Sequence, residues 1–148
     1  MTTLNNEITI NASIEKIWEA LSVIDNLDKF DPTVKKSTAV TDSKSGLNSK
    51  RKVEMLDGKN WFEEKVTEFK PNEALTYQLT DCSFPIHGLK HSYTFEKIGN
   101  QTKVKQVMQY TVKFGLIGKL MDSLMIRKQT SGGIQQFFIG LKEYAEKN

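Results

Sequence analysis

Residues 4–22 read LNNEITINASIEKIWEALS, and the change of period inside this stretch decides how the chain begins. Leu4, Asn6, Ile8 and Ile10 alternate with polar neighbours, the two-residue repeat of a strand with one face inward. From Ser13 the repeat changes. Ile14, Ile17, Trp18 and Leu21 fall at i, i+3, i+4 and i+7, one face of a helix. Ser13 is placed to cap that helix, and Glu15 suits the positive end of its dipole. IDNLDKF (24–30) then reads as a second short helix with Ile24, Leu27 and Phe30 inward, stopped by Pro32.

Working outward, residues 33–112 read as six strands, near 33–41, 47–56, 60–70, 74–81, 89–98 and 102–112. Turn signals separate them: DSKSG at 42–46, LDGKN at 56–60, KPNE at 70–73 and IGNQ at 98–101. Such short links join antiparallel neighbours. From about 115 to 146 a long amphipathic helix is expected. Leu116, Ile117, Leu120, Met121, Leu124 and Met125 open its apolar face, and Ile134, Phe137, Phe138, Leu141 and Tyr144 continue it. Gly132 and Gly133 interrupt the pattern and are expected to mark a bend. The class is α+β: a curved antiparallel sheet of about seven strands wrapped around a long C-terminal helix, with two short helices after the first strand. One domain, 1–148, is expected.

Composition narrows the function classes. The chain of 148 residues is 38% hydrophobic and 26% charged, with a formal net charge of +3. No run of ~18 apolar residues exists, so stable membrane insertion is not expected. MTTLNNEITIN lacks the pattern of a secretory leader. With a single cysteine, Cys82, no internal disulfide can form, and a cytoplasmic location is expected. Lys50, Arg51 and Lys52 form the densest basic patch, which reads as a solvated hairpin flank or a contact for an anionic ligand. A nucleic-acid partner would want a wider basic face. Monomer or weak homodimer is the expected state.

Three segments carry a resemblance. EITINASIEKIWEALSVIDNLDKFDPTV (7–34), WFEEKVTEFKPNEALTYQL (61–79) and GLIGKLMDSLMIRKQTSGGIQQFFIGLKEYAEK (115–147) resemble the START-like (SRPBCC, helix-grip) superfamily, in style closest to small polyketide cyclase/dehydrase-like proteins. The likeness spans nearly the whole chain. Phe30 stands where many members carry Trp. The resemblance implies the helix-grip fold and a cavity between sheet and final helix for a small hydrophobic or amphipathic molecule. It does not imply one activity: lipid carriers, hormone receptors, quinone-binding proteins and aromatase/cyclases share this fold.

Strand alternation nominates the residues facing that cavity. They are Arg51 and Val53; Phe62, Glu64 and Val66; Tyr77 and Leu79; His91, Tyr93 and Phe95; Gln106, Met108 and Tyr110; with Met121 and Met125 from the helix. Among them Arg51, Glu64, His91, Gln106 and the tyrosine hydroxyls are polar. Each must find an internal partner, a water or a ligand, because an unsatisfied buried polar group costs about 1–3 kcal/mol.

HGLKH (87–91) holds both histidines. Pro85 and Gly88 disfavour a helix there, and residues four apart in extended chain lie ~13 Å from each other. Two ligands of one zinc must each come within ~2 Å of it. No metal and no other cofactor is therefore expected. Phe84, Pro85, Ile86, His87 and Gly88 read as a lid at the cavity mouth, and His91 as a polar contact inside. Three functions stay open: a binder or carrier of a small hydrophobic ligand, a cyclase or dehydratase using His91 and Glu64 as acid–base groups, and an interaction protein with a filled cavity.

Overall fold

The structure is a computed structural model that describes residues 1–113, 115 and 125–147. Strand β1 (Thr2–Ile10) leads into helix α1 (Ile14–Ser22) and a single 3₁₀ turn (Leu27–Lys29). Six strands follow: β2 (Val34–Ala39), β3 (Lys50–Met55), β4 (Trp61–Lys70), β5 (Ala74–Cys82), β6 (Ile86–Ile98) and β7 (Gln101–Val112). Helix α2 spans Arg127–Lys147. Leu116, Ile117, Leu120, Met121 and Leu124, expected to start the helical face, lie outside the described residues.

The seven strands form one antiparallel sheet in the order β1-β7-β6-β5-β4-β3-β2. β2 to β7 are a meander, as their short turns require, and β1 closes onto the far edge beside β7. Four register shifts interrupt the ladders, two of them within β4 at Glu63/Glu64 and Val66/Glu68. Such bulges bend a strand and increase its twist, which helps this long sheet curve.

The opening stretch folds as its periods dictate. Ser13 Oγ accepts from Lys16 N at 3.3 Å, and Ile17, Trp18 and Leu21 are buried. Trp18 meets Phe69 and Phe95 edge-on, with centroids 5.1 and 5.9 Å apart. The second helix is shorter than expected. Only Leu27–Lys29 make a turn, yet Ile24, Leu27 and Phe30 are all buried. With so few residues before Pro32, apolar burial rather than helical hydrogen bonding fixes this segment.

Helix α2 buries Ile134, Phe137, Phe138 and Leu141. Phe30 fills the gap between Phe137 and Tyr144, at centroid distances of 5.6 and 5.7 Å. The helix runs unbroken through Gly132 and Gly133, so the pair does not divide it. Among the described residues, and apart from the helix's own backbone, neither glycine has a neighbour within 4 Å of where a Cβ would stand. Gly140 is the glycine that packing demands: a Cβ there would lie 1.9 Å from the Phe30 carbonyl oxygen. Among the described residues no helix is long and apolar enough to cross a membrane.

These contacts give alanine substitutions opposite signs on one helix. Gly133→Ala should stabilise by about 0.4–1 kcal/mol, since it removes backbone freedom from the unfolded chain without a clash. Gly140→Ala should destabilise by about 1–3 kcal/mol, because Phe30 or the helix must move. Urea unfolding of both variants measures the pair. A destabilising Gly133→Ala together with a neutral Gly140→Ala would contradict the packing described.

Candidate functional site

The concave face is best followed as rows running across the strands, since register partners share a face. One row places Arg51 beside Glu64 and Glu64 beside Leu79. The next runs Val66, Tyr77, His91, Met108 and Leu4. A third runs Leu75, Tyr93, Gln106 and Asn6. On β4 alternation nominated the face of Phe62, Glu64 and Val66, and Glu64 and Val66 are both wholly buried.

The inward polar groups join into one chain. Arg51 donates to Glu64 Oε1 from Nε at 2.8 Å and from Nη2 at 2.6 Å. His91 Nε2 lies 2.7 Å from Glu64 Oε2, and His91 Nδ1 lies 3.0 Å from the Tyr93 hydroxyl. Gln106 Nε2 donates to that hydroxyl at 3.0 Å, and Asn6 Nδ2 donates to Gln106 Oε1 at 3.3 Å. Glu64 is ionised, so His91 Nε2 carries the proton on that side. The Tyr93 hydroxyl accepts from Gln106 and lies within hydrogen-bond distance of His91 Nδ1, so the five side chains from Asn6 to Glu64 are linked without a break. Asn6 was placed on the inner face by its period, but its link to Gln106 needed the pairing of β1 with β7.

Two further bonds tie this chain to α1. Arg51 Nη1 donates to Ile24 O at 3.3 Å, and the Tyr77 hydroxyl donates to Leu21 O at 2.7 Å. Carbonyls at and just past a helix C-terminus lack helical partners and carry the negative end of its dipole. A guanidinium and a phenol supply what they need. Arg51 also sits 4.1 Å above the Tyr77 ring, and Tyr77 stacks on His91 at 5.4 Å.

Burial alone pushes the Glu64 carboxyl up, but the charges of His91 and Arg51 and their hydrogen bonds outweigh it and hold the group at about 2. Burial pushes the Tyr77 hydroxyl up to about 12 and the Tyr93 hydroxyl higher still. Among the described residues every buried side-chain nitrogen and oxygen has a partner. The expected ligand contact at His91 is thus met internally: both ring nitrogens are engaged.

Apolar side chains flank this chain on the same face. Val53 and Val66 are fully buried, Tyr110 is buried further along β7, and Phe62, Leu79, Phe95 and Met108 are half-buried. Phe62 is the second residue of β4 and Leu79 lies towards the end of β5, both near the β5–β6 connection. Cys82 pairs with Phe62 in register there.

The expected lid is smaller than the sequence implied. Only Ser83, Phe84 and Pro85 lie between β5 and β6; Ile86, His87 and Gly88 belong to β6. β7 continues to Val112 and gives Ile86 and His87 ladder partners in Val112 and Thr111. Lys113 N donates to Pro85 O at 3.0 Å, and Ser83 N donates to Trp61 O at 3.0 Å, so the connection is bonded at both ends. Gly88, at φ +66°, sits in the bulge between His87 and Lys90. That bulge breaks strict alternation. His87 turns outward and is exposed, while His91 turns inward, so the HGLKH histidines fall on opposite faces.

Three other expectations change. Met125 is 56% exposed and does not fit a cavity wall. Met121 lies outside the described residues. The patch at 50–52 is split by the pleat: Lys52 is exposed, Lys50 half-buried and Arg51 buried as a core ion. Cavities of about 250 Å³ and 130 Å³ lie off the concave face, one beside the start of α1 and the β6–β7 turn, the other beside the β3–β4 hairpin.

Residues 1–146 match the family described as polyketide cyclase / dehydrase and lipid transport, and the chain belongs to that family. No curated protein matches it. Among solved structures it is similar to the protein TTHA0849 from Thermus thermophilus, with a TM-score of 0.82 and 16% identity over 99% of this chain and 98% of that one. It is also similar to a START superfamily protein from Mycobacterium smegmatis, with a TM-score of 0.80 and 14% identity over 98% and 97% of the two chains. The di-domain ARO/CYC BexL of the BE-7585A biosynthetic pathway matches at a TM-score of 0.79 and 13% identity, over 99% of this chain and 47% of that one. At these identities the likeness is one of fold, and the fold is the START-like helix grip.

The ion pair predicts a pH signature. Glu64→Gln leaves the Arg51 guanidinium buried without its counter-charge and should cost about 3–5 kcal/mol at neutral pH. The native carboxyl is held at about 2, below its ordinary 4.5. Its stabilisation is therefore complete above the ordinary value and is lost as pH falls towards the native one. The stability gap between wild type and Glu64→Gln should narrow over that interval in urea titrations. A gap that is flat with pH would contradict an ionised Glu64.

Proposed function

We propose that the chain binds a small hydrophobic molecule, or the apolar part of an amphipathic one, on its concave face and carries it without transforming it. One observation carries this reading. Phe62, Leu79 and Met108 face inward yet are only partly buried, beside polar groups that have already satisfied one another. Inward apolar surface that its own core leaves partly uncovered is what a hydrophobic guest can cover. A ligand over these side chains gains from burial and not from hydrogen bonds to the floor. Any polar end it has is better left near the β5–β6 connection, facing water.

A cyclase or dehydratase needs a group that takes a proton near neutral pH and one that returns it. Glu64, held at about 2 by His91 and Arg51, is a weak base there. His91 is committed to Glu64 on one nitrogen and Tyr93 on the other. These constraints favour the carrier reading over the enzymatic one. The family description, which names both cyclases and lipid transport, accommodates either.

Binding of the fluorophore anilinonaphthalene sulfonate tests the proposal. Wild type should show one saturable site, displaced by a long-chain fatty alcohol. Met108→Lys should weaken binding by about tenfold or more, the equivalent of about 1.4 kcal/mol. Lys105→Glu, on the outer face of β7, should leave it unchanged. Saturable turnover of a carbonyl substrate by the wild type, lost in His91→Ala, would overturn the carrier reading.

A further inference from the structure

The outer face of the β3–β4 hairpin has a composition that the proposed ligand site does not use. Lys35, Lys52 and Lys59 line the recess of about 130 Å³ there, with Glu54 and Trp61. Lys52 Nζ sits 4.9 Å from the centroid of the half-exposed Trp61 ring. Leu56, at the hairpin tip, is 65% exposed. Lys36, Lys50 and Lys65 lie on the same side of β2, β3 and β4, against Glu63 and the tip residue Asp57. With exposed Asp81, the register partner of Glu63 on β5, six lysines then face four acidic side chains, a local excess of two. Asp57 is turned inward to its own hairpin, accepting from Lys59 N and Asn60 N at 2.8 Å each. Glu63 is paired with Lys50 at 3.6 Å.

We propose that this hairpin face docks onto an anionic phospholipid surface. Lysines ringing an amphipathic indole and an exposed leucine match such a surface: the cations meet the phosphates, and Trp and Leu enter the headgroup boundary. The position supports the same occupant. Trp61 N donates to Ser83 Oγ at 2.9 Å, and Ser83 Oγ donates to Asn60 Oδ1 at 3.0 Å. The hairpin is thereby bolted to the β5–β6 connection, and Phe62, the next residue, faces inward. Docking here sets the end of the concave face where the guest would enter against the bilayer. This orientation rests on the ligand reading above; the docking itself does not.

Flotation of the full chain with vesicles of phosphatidylcholine, alone or mixed with phosphatidylserine, tests the proposal. Binding should require phosphatidylserine and weaken as salt rises. Trp18 is buried, so a blue shift of tryptophan emission on binding should come from Trp61 and vanish in Trp61→Phe. Lys52→Glu with Lys59→Glu should reduce vesicle binding at least about tenfold, whereas Lys103→Glu with Lys105→Glu, on β7, should not. Equal loss from both double variants would reduce the effect to overall charge and overturn the proposal. So would absence of vesicle binding, or concentration-dependent self-association lost in Lys52→Glu, which would make the face a contact between copies. Vesicle binding that fails while the fluorophore still binds sinks docking alone. The reverse result sinks the ligand reading and leaves docking standing.

Discussion

The Arg51–Glu64 pair is the interaction on which the rest of the concave face depends. Two ions removed from water are tolerable only when every remaining valence is filled. Here that requirement reaches outward in both directions. On the carboxylate side it recruits His91, and through His91 the Tyr93 hydroxyl, Gln106 and Asn6. On the guanidinium side it reaches the Ile24 carbonyl just beyond α1. One ion pair thus links β3 and β4 to β6, β7 and β1, and fastens the first helix to the middle of the sheet. Its value lies as much in specifying this arrangement as in net stability, since a well-packed apolar replacement could be comparably stable.

That closure shapes what the site can do. A carboxylate with three donors and an imidazole with both nitrogens engaged make a fixed polar floor and poor partners for a passing substrate. Partly buried Phe62, Leu79 and Met108 lie beside it, the apolar surface on which the proposed guest would sit. The family accommodates both carriers and enzymes on this scaffold, so the distinction must come from side chains and not from the fold. The carrier proposed above is one such distinction, resting on the closed polar chain and the apolar side chains beside it.

Much of the fold was legible because it is written in local periods. The switch at Ser13, the turn tetrads and the i, i+3, i+4 pattern of Ile134 to Leu141 each report one element without knowledge of the others. The inward set on β3 to β7 was legible for the same reason. What was not legible depends on pairing. His87 and His91 have the same parity in sequence, and only the bulge at Gly88 puts them on opposite faces. Asn6 could not be tied to Gln106, nor Arg51 to Ile24 O, before the strands were aligned. Arg51 itself misled by composition: it sits between two lysines in sequence, and alternation alone separates it from them. The lid was overestimated because Pro85 and Gly88 look like loop residues, while the length of β7 decides how many residues beside them are paired.

The central claim is that the polar chain is closed and that the guest lies beside it. Nitrogen-15 NMR of the His91 ring, recorded together with methyl resonances of Met108 and Leu79 during titration with anilinonaphthalene sulfonate, tests it most directly. The account predicts that the methyl signals shift and saturate together while both His91 ring nitrogens keep their chemical shifts. A change at His91 Nδ1 that saturates with the ligand would mean that the Tyr93 contact opens to a guest, and would contradict it.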